Sequence, residues 1–212
     1  MSMVATQLGF VHRFVPAQVS NATTLLLLHG TGGDETDMLS LGQSLAPDAA
    51  LLSLRGKVSE NGMNRFFRRL AEGVFDVEDL KSRTHQLAEF VGAAAETYQL
   101  DVSRIIAVGF SNGANIAASL LLIHPGLLRS AILFCPMVPL VPEPLPDLTG
   151  TLVFIGAGRA DPVVRPEETE RLTVLLRNAG ADATVHWHNR GHTISNEQVV
   201  AAQTWLTHAN GE

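Results

Sequence analysis

Short apolar runs of strand length alternate along this chain with longer stretches in which apolar positions recur at helical spacing. The run at 24–28 reads Thr-Leu-Leu-Leu-Leu, which is typical of a strand buried on both faces of a sheet. Residues 10–15 alternate only weakly and predict an antiparallel edge strand. Predicted strands fall at 10–15, 24–28, 50–54, 105–108, 131–135, 151–155 and 183–188.

Helical patterns fill most of the intervals between these strands. The longest, at 79–98, has one apolar face. Pro166 suits the first position of a helix, and Ser195 with Gln198 three residues later forms a capping box. Predicted helices fall at 37–46, 79–98, 114–123, 166–178 and 195–208.

This alternation predicts an α/β fold with a mostly parallel sheet of about seven strands and helices on both faces. We find no internal repeat and no linker, so residues 1–212 are predicted to form one domain. Five of the ten prolines lie in residues 136–146, which predicts an extended loop. Because this loop is too short to hold a helical lid domain, we expect an open site.

The segment Gly109-Phe110-Ser111-Asn112-Gly113 stands between an apolar strand and an alanine-rich helix. A serine between two glycines in that setting is the pattern of a nucleophile elbow. A serine hydroxyl is a poor nucleophile unless a turn exposes it and a base activates it. We therefore interpret Ser111 as a nucleophile, with a serine in a plain glycine-rich turn as the alternative.

An acid and a base follow in the order that such a fold requires. Asp161 lies in the loop after the predicted strand 151–155, and His192 lies in the loop after the last predicted strand. Catalytic groups collect at these carboxyl ends of parallel strands. Asp182 precedes a strand and so lies at the opposite end of the sheet. The pattern predicts His192 as the general base and Asp161 as the carboxylate that orients it.

His186 and His188 share one face of the last predicted strand. Such a pair binds a metal only when further ligands complete the set, and no Cys or carboxylate cluster has matching spacing. We interpret both as exposed sheet histidines and predict no metal site.

The loop Leu28-His29-Gly30-Thr31-Gly32-Gly33 follows the second strand, at the height of Ser111 if the two strands are neighbours. A glycine-rich backbone can approach an oxyanion closely. The N–H groups of Thr31 and Asn112 are therefore the predicted oxyanion hole. No Gly-Lys-Ser/Thr and no G-x-G-x-x-G pattern is present, which disfavours nucleotide binding. His29 precedes the serine, and we expect it to brace the loop.

The segment 55–69 also follows a strand and should lie at the rim of the site. Met63 and Phe66 are candidates for an acyl or aromatic subsite, and packing into the core is an equally good interpretation. Three arginines, at positions 65, 68 and 69, could attract an anionic substrate. The acidic residues between 72 and 79 favour a solvated ion-pair surface instead.

Composition limits the function classes and the cellular location that the chain can have. Of 212 residues, 46% are hydrophobic and 17% are charged, and the net charge of −6 disfavours nucleic-acid binding. Cys135 is the one cysteine, so no intramolecular disulfide can form, and it is expected to be buried. The first residues lack the features of a signal peptide, and no apolar run is long enough to span a bilayer. We expect a cytoplasmic protein.

With these residues in place, the chain resembles the phospholipase/carboxylesterase family of α/β-hydrolases, and a bacterial subgroup of small carboxylesterases in particular. The resemblance covers nearly the whole chain. It is carried by the motifs at 28–35, 109–113, 161–164 and 191–195. It implies a Ser111-His192-Asp161 triad, no cofactor, and a small ester as substrate. Val163, in the third of these motifs, joins Met63 and Phe66 as a predicted substrate-binding residue.

One departure from the family concerns the pocket floor. Many relatives have Gln where Asn112 stands and Leu where Thr31 stands, so the acyl preference need not be the usual one. Thioester or lactone cleavage on the same fold is the alternative activity. A non-catalytic protein that binds a small ligand is the alternative class. An open site also leaves room for a homodimer partner to complete the pocket.

Overall fold

The computed structural model describes residues 3–5, 8–71 and 73–209, the first three by their backbone alone. The strands, in chain order, are β1 (Met3–Ala5), β2 (His12–Val15), β3 (Thr24–Leu28), β4 (Ala50–Leu54), β5 (Val58–Glu60), β6 (Met63–Arg65), β7 (Arg69–Ala71), β8 (Val74–Phe75), β9 (Ile105–Phe110), β10 (Ser130–Phe134), β11 (Leu152–Gly158) and β12 (Asp182–His188). The helices are α1 (Leu39–Leu45), α2 (Val77–Tyr98), α3 (Asn112–Ile123), α4 (Pro166–Asn178) and α5 (Asn196–Ala209), with a 3₁₀ turn at Val102–Arg104.

The main sheet has the strand order β1-β2-β4-β3-β9-β10-β11-β12. Its last six strands are parallel to one another, whereas β2 runs antiparallel to both of its neighbours, β1 and β4. The sheet is therefore mostly parallel, as predicted. It has eight strands rather than about seven, because β1 pairs along the free side of β2. The predicted edge strand at 10–15 is thus an inner strand, and β1 forms the edge.

Helices cover both faces of the sheet, as predicted. One apolar cluster joins the sheet to α2, α3 and α4, and a second joins it to α1 and α5. Helix α2 begins two residues earlier than predicted because the Asp76 carboxylate accepts a hydrogen bond from the Asp79 N–H. Helix α5 begins with the expected capping box, in which Ser195 and Gln198 bond each other's N–H group.

Two connections border the carboxyl ends of the strands. The one between β4 and α2 holds two small hairpins, β5–β6 and β7–β8. The proline-rich stretch 136–146 between β10 and β11 contains no helix or strand, so no lid domain is inserted there. Among the described helices, none has both the length and the apolar character needed to cross a bilayer.

The turn from β9 to α3 packs against the end of β3. A Cβ atom at Gly109 would lie 2.5 Å from the Gly113 carbonyl oxygen. A Cβ atom at Gly113 would collide with the carbonyl oxygen of Leu28 and lie 2.6 Å from that of His29. Both neighbours are backbone atoms, which cannot rotate away, so these two positions require glycine.

Replacing Gly113 by Ala should therefore destabilise the protein, by about 1–3 kcal/mol from overpacking. Gly92, inside α2, is the matched control, because a Cβ atom there meets nothing within 4 Å. Gly92→Ala should stabilise the protein by up to about 1 kcal/mol through helix propensity. Urea unfolding of both variants measures the difference. A Gly113→Ala protein as stable as the parent would contradict the packing described here.

Candidate active site

Ser111 occupies the turn between β9 and α3 in a conformation that residues with side chains rarely adopt. Its φ is 52° and its ψ is −113°. The Ser111 N–H donates to the Phe134 carbonyl oxygen at 2.9 Å, which anchors the turn to β10. Strain of this kind persists only where the surroundings enforce it, and it is concentrated at functional sites. The turn presents the hydroxyl to a cavity at the carboxyl ends of the strands.

His192 and Asp161 lie beside Ser111, although the three are far apart in the sequence. His192 is 81 residues from Ser111 and 31 residues from Asp161. The His192 Nε2 atom lies 2.9 Å from the Ser111 Oγ atom. The His192 Nδ1 atom lies 2.7 Å from Asp161 Oδ2. The three side chains thus form one continuous hydrogen-bonded line.

Hydrogen bonding at Asp161 assigns the protons along this line. Its Oδ1 atom accepts from the N–H groups of Val163 and Val164, at 2.8 and 2.9 Å. With Oδ1 occupied by these two donors, Oδ2 faces His192 and accepts the proton of its Nδ1 atom. This leaves Nε2 of His192 unprotonated and able to accept the hydroxyl proton of Ser111.

The N–H groups of Thr31 and Asn112 flank the same site. Strands β3 and β9 are neighbours, with Leu28 opposite Gly109, so the two loops that follow them meet. Thr31 and Asn112 both line the cavity with Ser111. Among the described residues, neither N–H has a hydrogen-bond acceptor. Two unoccupied donors at this position are what an oxyanion hole requires.

The glycine-rich loop after β3 is held from outside by the segment that precedes and forms the hairpin β5–β6. Gly56 donates its N–H to the Nε2 atom of His29 at 3.0 Å, and His29 Nδ1 bonds the Gly30 carbonyl oxygen at 2.6 Å. Burial lowers the pKa of His29, which keeps the ring neutral and Nε2 free to accept. Asn64 bonds the loop twice, by its carbonyl oxygen to Gly32 N–H and by its amide to Gly33. His29 therefore braces the loop.

Arg65 and Phe66 extend this support to Thr31 and Asn112. The Arg65 Nη1 group donates to the Thr31 hydroxyl at 2.6 Å. The Phe66 N–H donates to the Asn112 side-chain oxygen at 2.7 Å. Burial lowers the pKa of Arg65, and the neighbouring Arg69 lowers it further. One segment thus fixes the Thr31 loop and the start of α3 relative to each other.

The cavity at Ser111 has a volume of about 230 Å³. Its lining residues are Thr31, Arg65, Arg69, Gly73, Phe75, Ser111, Asn112, Asn115, Met137, Val163, Val164 and His192.

Of the three predicted substrate-binding residues, Val163 lines this cavity. Phe66 is not: it is 1% exposed and its ring packs on His29 in the core. Met63 is exposed and lies beside Gly32, outside this lining. Phe66 thus packs into the core, which was the second of the two interpretations offered for it.

The three rim arginines have different surroundings. Arg68 is exposed and pairs with Asp76 and Asp79, as an ion-pair surface predicts. Arg65 and Arg69 line the cavity instead, and both pair with Glu60 rather than with the acids at 72–79. Residue 72 of that acidic group lies outside the described residues.

The two histidines of β12 are less exposed than predicted. His188 is buried, not exposed, and its Nδ1 atom accepts the Arg190 N–H at 3.1 Å. His186 is half-buried and stacks on Phe154. Both positions follow from the covering of this sheet face by α5 and the loop after β12.

Cys135 lies next to the Ser111 site. It is buried, and its Sγ atom lies 3.7 Å from the Thr193 carbonyl oxygen. With Asp161 and His192 it makes up the one cluster of potential metal ligands among the described residues. Burial, with Asp161 nearby, raises the pKa of Cys135 to about 12, so the thiol stays protonated and is a poor ligand. Asp161 and His192 bond each other instead.

Comparisons with known proteins agree with this geometry. Residues 12–210 match the model of the family described as Phospholipase/Carboxylesterase. This chain belongs to that family. The Bacillus subtilis (strain 168) protein MhqD is 54% identical over 185 residues, which are 87% of this chain and 92% of MhqD.

Solved structures show the same relationship. A carboxylesterase from Bacillus cereus is 48% identical, with a TM-score of 0.94 and 96% of each chain covered. YahD, solved with malic acid, is 32% identical, with a TM-score of 0.88 and coverage of 99% of this chain and 100% of that one. The protein is therefore a hydrolase with the α/β-hydrolase fold.

The position of Cys135 yields a prediction about which side chain of this hydrolase is reactive. Raising the thiol pKa from 9.0 to about 12 lowers its thiolate fraction roughly 10³-fold at pH 8. Iodoacetamide should alkylate the native protein at least about 10³-fold more slowly than the protein in urea, and the single cysteine makes the assay unambiguous. A native rate within tenfold of the unfolded rate would show an accessible thiolate at the site.

Proposed function

We propose that this hydrolase cleaves small carboxylic esters, with Ser111 as nucleophile, His192 as general base and acid, and Asp161 as the group that orients His192. The observation that carries the proposal is the line from Asp161 through His192 to the Ser111 oxygen, with contacts of 2.7 and 2.9 Å. Both distances are short enough for proton transfer.

Acylation begins when His192 Nε2 takes the Ser111 proton and the oxygen attacks the ester carbonyl carbon. The carbonyl oxygen becomes an oxyanion, to which the N–H groups of Thr31 and Asn112 donate. The imidazolium is stabilised by the buried carboxylate of Asp161. When the tetrahedral intermediate collapses, the bond to the alcohol oxygen breaks, and His192 gives its proton to that oxygen. The acyl group remains on Ser111.

Deacylation repeats the same steps with water as nucleophile. His192 takes a proton from water, the hydroxide attacks the acyl carbon, and the proton returns to Ser111 as the carboxylic acid leaves. The overall reaction consumes one ester and one water and releases one acid and one alcohol. Cofactor chemistry has no part in this sequence.

The dimensions of the site support a small substrate. A cavity of about 230 Å³ is smaller than the pockets of roughly 300–1,000 Å³ that hold drug-sized ligands. The relative YahD was solved with malic acid, a small polar molecule. The absence of an inserted lid domain between β10 and β11 leaves this cavity open on one side. Short acyl groups should therefore be preferred over long chains.

Replacing Ser111 by Ala should lower kcat/KM for 4-nitrophenyl acetate by roughly 10⁴-fold or more, because it removes the nucleophile. A fluorophosphonate probe should label the parent protein and leave Ser111→Ala unlabelled. Ser44→Ala is the matched control, since Ser44 is exposed on α1 and, among the residues that the structure describes, its hydroxyl bonds only the Ser40 carbonyl oxygen.

Near-parental turnover by Ser111→Ala, or labelling at another residue, would contradict the assignment. Thioester and lactone analogues of one acyl group, assayed in parallel, measure which bond the site prefers. A protein that binds these compounds but neither turns them over nor reacts with the probe would belong to the non-catalytic class.

A further inference from the structure

One wall of the cavity at Ser111 is positively charged, although the chain as a whole has a net charge of −6. Arg65 and Arg69 both line it, and no described aspartate or glutamate does. Glu60 lies behind them, with Oε2 3.1 Å from Arg65 Nε and Oε1 3.0 Å from Arg69 Nε. Two guanidinium groups share one carboxylate, so one positive charge is left uncompensated at this wall.

The two arginines differ in what they can still bind. Arg65 is 5% exposed, and it donates to the Thr31 hydroxyl and to the Phe67 carbonyl oxygen. Arg69 is 30% exposed, and its Nε group donates to Glu60. Neither Nη group of Arg69 has an acceptor among the residues that the structure describes. Glu60 therefore orients the Arg69 guanidinium group, and the Nη groups of Arg69 remain available to bind a ligand.

A second cleft extends this charge outward. It shares Gly73, Met137 and Val163 with the cavity at Ser111, so the two lie side by side. Arg165 and Arg171 line it, and its one described carboxylate, Glu168, lies 3.6 Å from Arg171. With two arginines and one described carboxylate, the lining of this cleft has a net positive charge, which attracts anions.

We propose that the natural substrate is an ester that also carries a carboxylate, and that the Nη groups of Arg69 bind this carboxylate while Ser111 attacks the ester. The proposal rests on the proposed esterase function. A guanidinium fork matches a planar carboxylate and can bond both of its oxygens. The single uncompensated charge at this wall fits one carboxylate group, whereas a phosphate dianion would bring two negative charges to the same point. The bound carboxylate is unchanged by the reaction; water cleaves the ester bond alone.

Two matched pairs of esters test the proposal. Monomethyl and dimethyl glutarate place the negative or neutral group on the acyl side. 4-Acetoxybenzoate and its methyl ester place it on the alcohol side. The readout is the ratio of kcat/KM for the anionic ester to that for its neutral partner. Comparing this ratio between proteins cancels the intrinsic reactivity of each ester.

Arg69→Gln should lower the ratio about 10- to 100-fold for at least one pair, as expected for loss of a hydrogen bond to a charged group. Arg69→Lys should retain part of the preference, because it keeps the charge but not the fork. Arg68→Gln removes the same charge one residue away, from an exposed side chain outside the cavity, and should keep the parental ratio. The parental ratio should also fall as salt is raised.

Binding of glutarate, the acid product, gives a readout that needs no turnover. Calorimetry should show binding to the parent that weakens about tenfold or more in Arg69→Gln. Parental ratios and parental glutarate binding in Arg69→Gln would overturn the inference and leave the esterase function intact. If the parent protein hydrolysed none of these esters and was not labelled by the fluorophosphonate, the esterase function itself would be overturned.

Discussion

The close approach of helix α3 to the end of strand β3 is the constraint on which the site depends. Gly113 packs against the backbone of Leu28 and His29, and no larger residue fits there. This contact places the Asn112 N–H beside the loop that carries the Thr31 N–H. It also forces Ser111 into its strained conformation, with φ at 52°, and so aims the hydroxyl at His192. The proposed nucleophile, its base and the two N–H donors meet because one backbone contact excludes side chains.

The segment 56–66 gives this arrangement its rigidity. It bonds His29, Gly32 and Gly33 on one side and Asn112 on the other. Preorganised donors stabilise an oxyanion better than mobile ones, since no reorganisation is needed as charge develops. Arg65 belongs to this support and also to the charged wall of the cavity. The proposed oxyanion hole and the proposed selectivity for charge therefore depend on one and the same side chain.

Much of the fold could be predicted from the sequence, because buried parallel strands read as unbroken apolar runs and some helices have local start signals, such as Pro166 in α4 and the capping box of α5. Ser111, Asp161 and His192 could be placed at one edge of the sheet because each follows a strand. The short strands at 58–60, 63–65, 69–71 and 74–75 have no apolar periodicity and were not predicted. The contact of Arg65 with Thr31 spans 34 residues and depends on a hairpin that no local pattern reveals. The position of Phe66 could not be predicted either, since an aromatic residue suits a core and a pocket equally and the hairpin that decides between them has no local signal.

A crystal structure of the protein with a phosphonate bound covalently to its serine tests the central claim most directly. The account predicts an adduct on the Ser111 oxygen, with one phosphonyl oxygen about 2.7–3.1 Å from both the Thr31 and the Asn112 nitrogen atoms. An adduct on another residue, or a phosphonyl oxygen directed away from both N–H groups, would contradict it.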